Sequence, residues 1–95
     1  MSIKWTVPAQ KDILEAVEYV LKDDPLKAEQ LARQILKTGE QVLLFPGSGP
    51  PGRVEGTRQI AVQRFPYVLV YRVTAKSVQV LRVLHTKRHV PVPHP

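Results

Sequence analysis

The sequence Tyr67-Val68-Leu69-Val70-Tyr71-Arg72-Val73, followed closely by Ser77-Val78-Gln79-Val80-Leu81-Arg82-Val83-Leu84-His85, decides the fold of this chain. Both runs are rich in the β-branched and aromatic residues that favour strands. Only Thr74, Ala75 and Lys76 lie between them, which leaves room for a turn and not for a helix. The two runs therefore predict an antiparallel pair, and the first run, apolar at almost every position, is expected to be a central strand.

A third β-rich run, Arg58 to Arg64, precedes this pair and carries Ile60 and Val62 on one face. It completes a predicted antiparallel meander. Before it lies the segment Phe45 to Gly52, with three prolines and three glycines in eight residues. That composition predicts a surface loop.

The start of the chain predicts a strand and then a helix. Ser2 to Val7 alternates apolar and polar side chains, as a strand with one buried face does. The strand is expected to stop at Pro8, where a helix can begin. The apolar residues of this helix recur at Ile13, Val17, Val20 and Leu21, with Ala9 and Ala16 on the flank.

A second helix is expected to begin after Asp24 as its N-cap, with Pro25 at its first position. Its apolar stripe comprises Ala28, Leu31, Ala32, Ile35 and Leu36. Gly39 interrupts the pattern at a cost of roughly 1 kcal/mol relative to alanine. The apolar spacing nevertheless continues, so the helix is expected to run to about Leu44.

The predicted order is β-α-α-β-β-β in a single α+β domain spanning residues 1–95. The two helices are expected to form a hairpin that covers one face of a small twisted antiparallel sheet. The other face of such a sheet need not be covered. Residues 90–95 contain three prolines and are expected to be a loose tail.

Charge is distributed unevenly along the chain, which carries 14 Lys and Arg against 8 Asp and Glu, a net charge of +6. Acids and bases nearly cancel up to Leu44. From Phe45 onward Glu55 is the only acid, and the bases are Arg53, Arg58, Arg64, Arg72, Lys76, Arg82, Lys87 and Arg88. The C-terminal half should therefore attract nucleic acid, an acidic protein or an acidic membrane surface.

Several classes of site and of protein are excluded or disfavoured by composition. The chain has no cysteine, so disulfides, thiolate catalysis and cysteine zinc sites are excluded. Its three histidines lack an accompanying acidic cluster, so we expect neither a metal site nor a cofactor. No apolar run approaches the roughly 20 residues of a membrane span, and the N-terminus does not resemble a signal peptide. A cytoplasmic location is the expectation.

The residues that could carry chemistry lie on or near the meander. His85 has the side chain best suited to proton transfer near neutral pH, although a histidine at a strand end is more often a simple hydrogen-bonding residue. Lys87 and Arg88 follow it in the sequence. Arg58, Arg72 and Arg82 lie within predicted strands, where an arginine is either paired for structure or kept for binding.

A series of short motifs runs through the chain in a fixed order. They are Trp5 in the opening strand, Ala9-x-x-Asp12-Ile13, Asp24-Pro25-x-x-Ala28, Phe45-Pro46 with Gly52-Arg53, Gly56-Thr57-Arg58, Pro66-Tyr67-x-x-x-Tyr71-Arg72-Val73, and Val80-Leu81-Arg82-Val83-Leu84-His85-x-x-Arg88. Together, at this spacing, they resemble the toxins of the RelE/ParE superfamily of type II toxin–antitoxin systems. The resemblance covers almost the whole chain and implies the fold described above.

The resemblance also implies growth arrest by one of two routes. ParE-like toxins inhibit DNA gyrase and serve in plasmid stabilisation, whereas RelE-like toxins cut mRNA in the ribosomal A site. Both kinds are neutralised by a cognate antitoxin in a hetero-oligomer, expected to be a heterodimer or heterotetramer. The complex would meet operator DNA only through the antitoxin.

Comparison with the two branches favours the ParE-like route. In the RelE pattern an arginine follows the tyrosine of the central strand, and here Val68 holds that place. The C-terminal tyrosine of that pattern has no tyrosine counterpart, although His94 lies close to it. Pro66-Tyr67 and the Leu84-His85 ending look more like ParE. A ribosome-dependent mRNA endonuclease and a non-toxic corepressor stay open as alternatives, so whether the chain is an enzyme is left undecided.

The two routes would use different sets of residues in this chain. A nuclease would use His85, Lys87 and Arg88 as its candidate catalytic residues. A binding toxin would meet its target or antitoxin through Arg58, Arg72, Arg82 and Arg88. In either case an antitoxin helix is expected on apolar surface of the helical hairpin, with a further, acidic segment crossing the sheet.

Overall fold

The computed structural model describes residues 1–87 and places them in two helices and four strands. In chain order these are β1 (Ser2–Trp5), α1 (Val7–Leu21), α2 (Pro25–Leu44), β2 (Arg58–Ala61), β3 (Tyr67–Val73) and β4 (Ser77–His85). The predicted α+β order β-α-α-β-β-β is confirmed. The predicted loose tail, residues 90–95, lies outside the described residues.

The four strands form one mixed sheet in the order β1-β4-β3-β2. β3 pairs antiparallel with both β2 and β4, which confirms the meander and the inner position of the Tyr67–Val73 run. β1 instead lies parallel to β4, with Ser2 opposite Ser77 and Trp5 opposite Val80. The expectation of an antiparallel sheet therefore holds for the meander. It is wrong for β1, which is an edge strand and runs parallel to β4.

Two strands are shorter than predicted, and each ends for a local reason. β1 stops at Trp5 and not at Val7, because Thr6 becomes the N-cap of α1 and its hydroxyl accepts a hydrogen bond from the Ala9 N–H. β2 stops at Ala61 and not at Arg64, whose backbone has a φ of 74°. A left-handed residue cannot continue a strand.

The beginning of α2 confirms the predicted cap. Asp24 accepts a hydrogen bond from the Lys27 N–H, and Pro25 occupies the first turn. The helix runs to Leu44 as expected.

The core lies between the helical hairpin and one face of the sheet. Its buried members are Ala9, Ala16, Leu31, Ile35, Val62, Tyr67, Leu69, Val80 and Val83. Two predicted stripe positions are wrong, since Leu21 and Leu36 are about half exposed.

Gly39 has a packing role that explains its place within a helix. A Cβ atom at this position would lie 2.5 Å from Cζ2 of Trp5 and 3.0 Å from Cδ1 of Ile3. The indole of β1 therefore fills the space that a side chain would need. Close packing of α2 on β1 offsets the cost that glycine imposes on the helix.

Candidate functional site

Arg82 is held by a carboxylate from α1. Its Nε donates to Oδ2 of Asp12 at 2.7 Å, and its Nη2 donates to Oδ1 at 3.0 Å. The Val83 N–H donates to the same Oδ2 at 2.9 Å. β1 has ended by this point, since its last partner on β4 is Val80, so Asp12 takes the place of a strand neighbour. The hydrogen bond with Asp12 raises the pKa of Arg82 above its ordinary value, against the opposing effect of burial.

Arg58 and Tyr71 hold the proline- and glycine-rich loop against the sheet. Nη1 of Arg58 donates to the Gly49 carbonyl at 2.8 Å. The Tyr71 hydroxyl donates to the Pro46 carbonyl at 2.8 Å and accepts from the Gly49 N–H at 2.9 Å. Gly49 fits only without a side chain, because a Cβ would lie 2.7 Å from the Tyr71 hydroxyl. The predicted surface loop is therefore ordered, and Arg58 contributes to that order.

Arg72 lies on the other face of the sheet, away from the helices. Its Nη2 donates to Oε1 of Gln79, the residue directly opposite on β4, at 3.2 Å. Lys4 on β1 is in turn opposite Gln79. Lys4, Gln79 and Arg72 thus form a row across three neighbouring strands, which we call the Lys4–Arg72 row. Lys4 and Arg72 are exposed, and Gln79 is partly buried.

His85 lies at the opposite end of β4. Its ring packs edge-on against Tyr67, with centroids 5.1 Å apart and an interplanar angle of 82°. Its Nδ1 accepts a hydrogen bond from the Lys87 N–H at 3.0 Å. His85 and Gln79 are six positions apart on β4, and their partners Tyr67 and Arg72 are five positions apart on β3, which corresponds to about 17–20 Å at the usual rise per residue.

The structure therefore does not gather the predicted site residues into one place. Arg58 faces the loop, Arg82 lies at the sheet edge against α1, and Arg72 lies on the open face. His85 and Lys87 are close neighbours at the far end, and Arg88 lies outside the described residues, as do His89 and His94. Within residues 1–87 no group of three or more His, Cys, Asp or Glu could hold a metal ion.

Asp12 is a partner of Arg82 that the sequence did not predict. It is only 9% exposed and lies between Ala9 and Ala16 on the buried face of α1. A single acid at helical spacing between buried positions is itself a signal, because a buried carboxylate requires hydrogen-bonding or charged partners. Arg82 was the available basic residue on the neighbouring strand.

Comparison with known proteins gives three matches that agree with one another. The model of the family described as "ParE toxin of type II toxin-antitoxin system, parDE" matches residues 3–90. The Sinorhizobium fredii protein named "Putative toxin Y4kP" is 33% identical over 89 residues, which cover 94% of this chain and 92% of that protein. A structure titled "Chromosomal ParDE TA system from P. aeruginosa" superposes with a TM-score of 0.83 at 28% identity. That match covers 92% of this chain and 97% of the other.

Among residues 1–87, neither helix has the length and apolar character needed to cross a membrane.

Proposed function

Since this chain belongs to the ParE toxin family of type II toxin–antitoxin systems, we propose that it arrests growth by inhibiting DNA gyrase and that a cognate antitoxin neutralises it. Membership of the family confirms the superfamily and the ParE-like branch that the motifs indicated. The target and the neutralising partner are the proposal. Two features of the described residues support it.

The first feature, and the one that carries the choice of target, is Val68. It lies on β3 opposite Leu84, so an apolar pair occupies the position where an mRNA-cleaving relative would need a cation. Cleavage by a 2′-hydroxyl requires a cation on the phosphate and a proton-transfer group within about 3 Å of the reacting oxygen.

The three arginines of the strands do not supply that arrangement, which leaves Lys87 as a described cation beside His85. Arg82 is engaged by Asp12, and Arg58 by the loop carbonyls. Arg72 lies about 17–20 Å along the sheet from His85. A toxin that acts by binding its target needs none of these groups to meet at one phosphate, and this favours gyrase over the ribosome.

The second feature concerns the antitoxin. The helical hairpin exposes large apolar side chains to solvent, including Leu14 at 63%, Leu26 at 64% and Leu36 at 52%. An amphipathic antitoxin helix would bury such residues on the hairpin. Deleting the antitoxin's C-terminal half should abolish protection against the toxin. Full protection by its DNA-binding half alone would contradict this part of the proposal.

Induction of the chain in growing cells without antitoxin tests the target. We expect growth arrest with an early DNA-damage response, while protein synthesis continues at first. Primer extension on abundant transcripts should show them intact. In-frame cleavage of ribosome-bound mRNA would refute the proposal and favour the endonuclease, and unchanged growth would favour a non-toxic corepressor.

A further inference from the structure

The open face of the sheet carries cations that nothing on that face neutralises. None of the four strands in residues 1–87 contains an acid. Neither Lys4 nor Arg72 makes an ion pair within those residues, in contrast to Arg82 on the neighbouring edge. The acids of α1 and α2 belong to the opposite layer of the fold, behind the sheet. The Lys4–Arg72 row is therefore the positively charged part of this face.

Gln79 gives the row a defined geometry. Its Oε1 accepts the hydrogen bond from Arg72 and so restrains the guanidinium above the strands. Lys4 and Arg72 are separated by two strand spacings, or about 10 Å between their backbones. This separation falls between the minor-groove width of about 6 Å and the major-groove width of about 12 Å in duplex DNA. Two long cationic side chains at this distance can reach phosphates on either side of a groove.

The open face also lacks what single-stranded nucleic acid needs. Proteins that bind single strands stack the bases on aromatic side chains. Tyr67 and Tyr71 point into the core, and Trp5 packs against Gly39. No strand of residues 1–87 presents an aromatic ring on the open face. Contact with the backbone of a duplex fits this surface, whereas stacking with bases does not.

We infer that the Lys4–Arg72 row is a binding site for the phosphodiester backbone of double-stranded DNA, independent of base sequence. The choice of DNA over an RNA duplex rests on the proposed function, because gyrase is an enzyme that acts on duplex DNA. The toxin would then contact both the enzyme and the DNA that the enzyme holds. Arg72 donates to one phosphate, Lys4 to another, and Gln79 positions Arg72.

Binding of the purified chain to a short, fluorescently labelled DNA duplex, measured by anisotropy over a range of salt concentrations, tests this site. Each phosphate contact contributes about 0.9 to the slope of log affinity against log salt. In the double variant Lys4→Gln/Arg72→Gln, the slope of log affinity against log salt should therefore become shallower by about 1.8, which corresponds to two phosphate contacts. The variant should also bind the duplex markedly more weakly. Both residues are exposed, and thermal melts should show that the variant stays folded.

The matched control removes the same charge from the helical layer. Lys27 and Lys37 are exposed on α2, so Lys27→Gln/Lys37→Gln lowers the net charge equally and should leave the salt slope unchanged. Equal losses in the two double variants would mean attraction by net charge alone and would overturn the inference. Failure of the unaltered chain to bind the duplex at low salt would overturn it as well.

Two further arms separate other ligands and the proposed function itself. An RNA duplex of the same sequence has a deep, narrow major groove and a wide, shallow minor groove, so it should bind more weakly than DNA, and equal binding would refute the choice of DNA. An acidic peptide that binds through Lys4 and Arg72 while DNA does not would identify the row as a protein site and overturn the inference. If the Lys4→Gln/Arg72→Gln variant inhibits gyrase as well as the unaltered chain does, the inferred DNA contact is refuted and the proposed function stands. If the unaltered chain does not inhibit gyrase, the proposed function is refuted.

Discussion

Asp12 and Arg82 join α1 to β4 across 70 positions of sequence, with Nε of the guanidinium 2.7 Å from Oδ2 of the carboxylate. The same oxygen accepts the Val83 N–H, so one carboxylate serves both a side chain and the strand edge left open by the end of β1. Asp12 is nearly buried, whereas the Arg82 side chain keeps 47% of its exposure. This contact ties α1 to β4.

Asp12→Ala should destabilise the fold, because it leaves the Val83 N–H and the Arg82 guanidinium without their acceptor. We expect the free energy of unfolding to fall by about 1–3 kcal/mol. Breaking a fully buried ion pair costs more, but the Arg82 side chain is about half exposed. Urea denaturation measures it. Glu18→Ala, at an exposed position of the same helix, is the control and should change stability by less than about 0.5 kcal/mol. Equal effects of the two substitutions would contradict the assigned role of Asp12.

Gly39→Ala should destabilise the protein even though alanine is the better helix former. The added Cβ would lie 2.5 Å from Cζ2 of Trp5, and we expect overpacking to cost about 1–3 kcal/mol against a helix gain of about 1 kcal/mol. Thermal melts followed by the emission of Trp5, the only tryptophan, would report the change.

Gly47→Ala provides the matched control for Gly39, because no atom lies within 4 Å of its added Cβ. It should leave the melting temperature nearly unchanged. Replacing Trp5 with leucine should reduce the cost of Gly39→Ala, and these melts are followed by circular dichroism because the leucine variant has no tryptophan. A cost that is the same in both backgrounds would show that the indole is not the obstacle.

Tyr71→Phe should loosen the loop that precedes β2. The substitution removes one donor and one acceptor, and leaves the Pro46 carbonyl and the Gly49 N–H without their partner. We expect a loss of about 1–3 kcal/mol and faster hydrogen exchange at Gly49. Tyr67→Phe removes a hydroxyl from an equally buried ring and should have a smaller effect. Unchanged exchange at Gly49 in Tyr71→Phe would contradict the account of the loop.

His85→Gln should retain toxicity, since a toxin that acts by binding requires no proton transfer at this position. The variant loses the edge-on ring contact with Tyr67, so a modest loss of stability is expected, and its folding should be checked by circular dichroism. The measurement is growth after induction, at matched protein levels. A folded His85→Gln variant that no longer arrests growth would favour an enzymatic mechanism.

Local patterns in the sequence predicted most of the fold. β3, β4 and α2 begin and end where alternation, proline and the Asp24 cap indicated. The parallel pairing of β1 was not predictable in this way, because register between distant segments depends on the whole assembly. β1 ends early because Thr6 is the N-cap of α1, and β2 ends early because the backbone at Arg64 is left-handed. Neither feature is evident from the sequence pattern.

The site was less predictable than the fold. Arg58, Arg72 and Arg82 are candidate binding residues from the sequence, and only their partners in the structure distinguish a structural role from a binding role. The loop carbonyls and Asp12 come from segments far from these arginines in sequence, and pattern alone cannot pair them. Arg72 has a partner directly across the sheet, and even this required the register of β3 on β4.

Gyrase inhibition can be measured as the supercoiling activity of purified DNA gyrase in the presence of increasing amounts of the purified chain. We expect that relaxed plasmid stays unsupercoiled, that cleaved DNA accumulates when the reaction is stopped with detergent, and that prior addition of antitoxin restores supercoiling. Normal supercoiling at a large excess of folded toxin, with no cleaved DNA, would contradict the proposed inhibition.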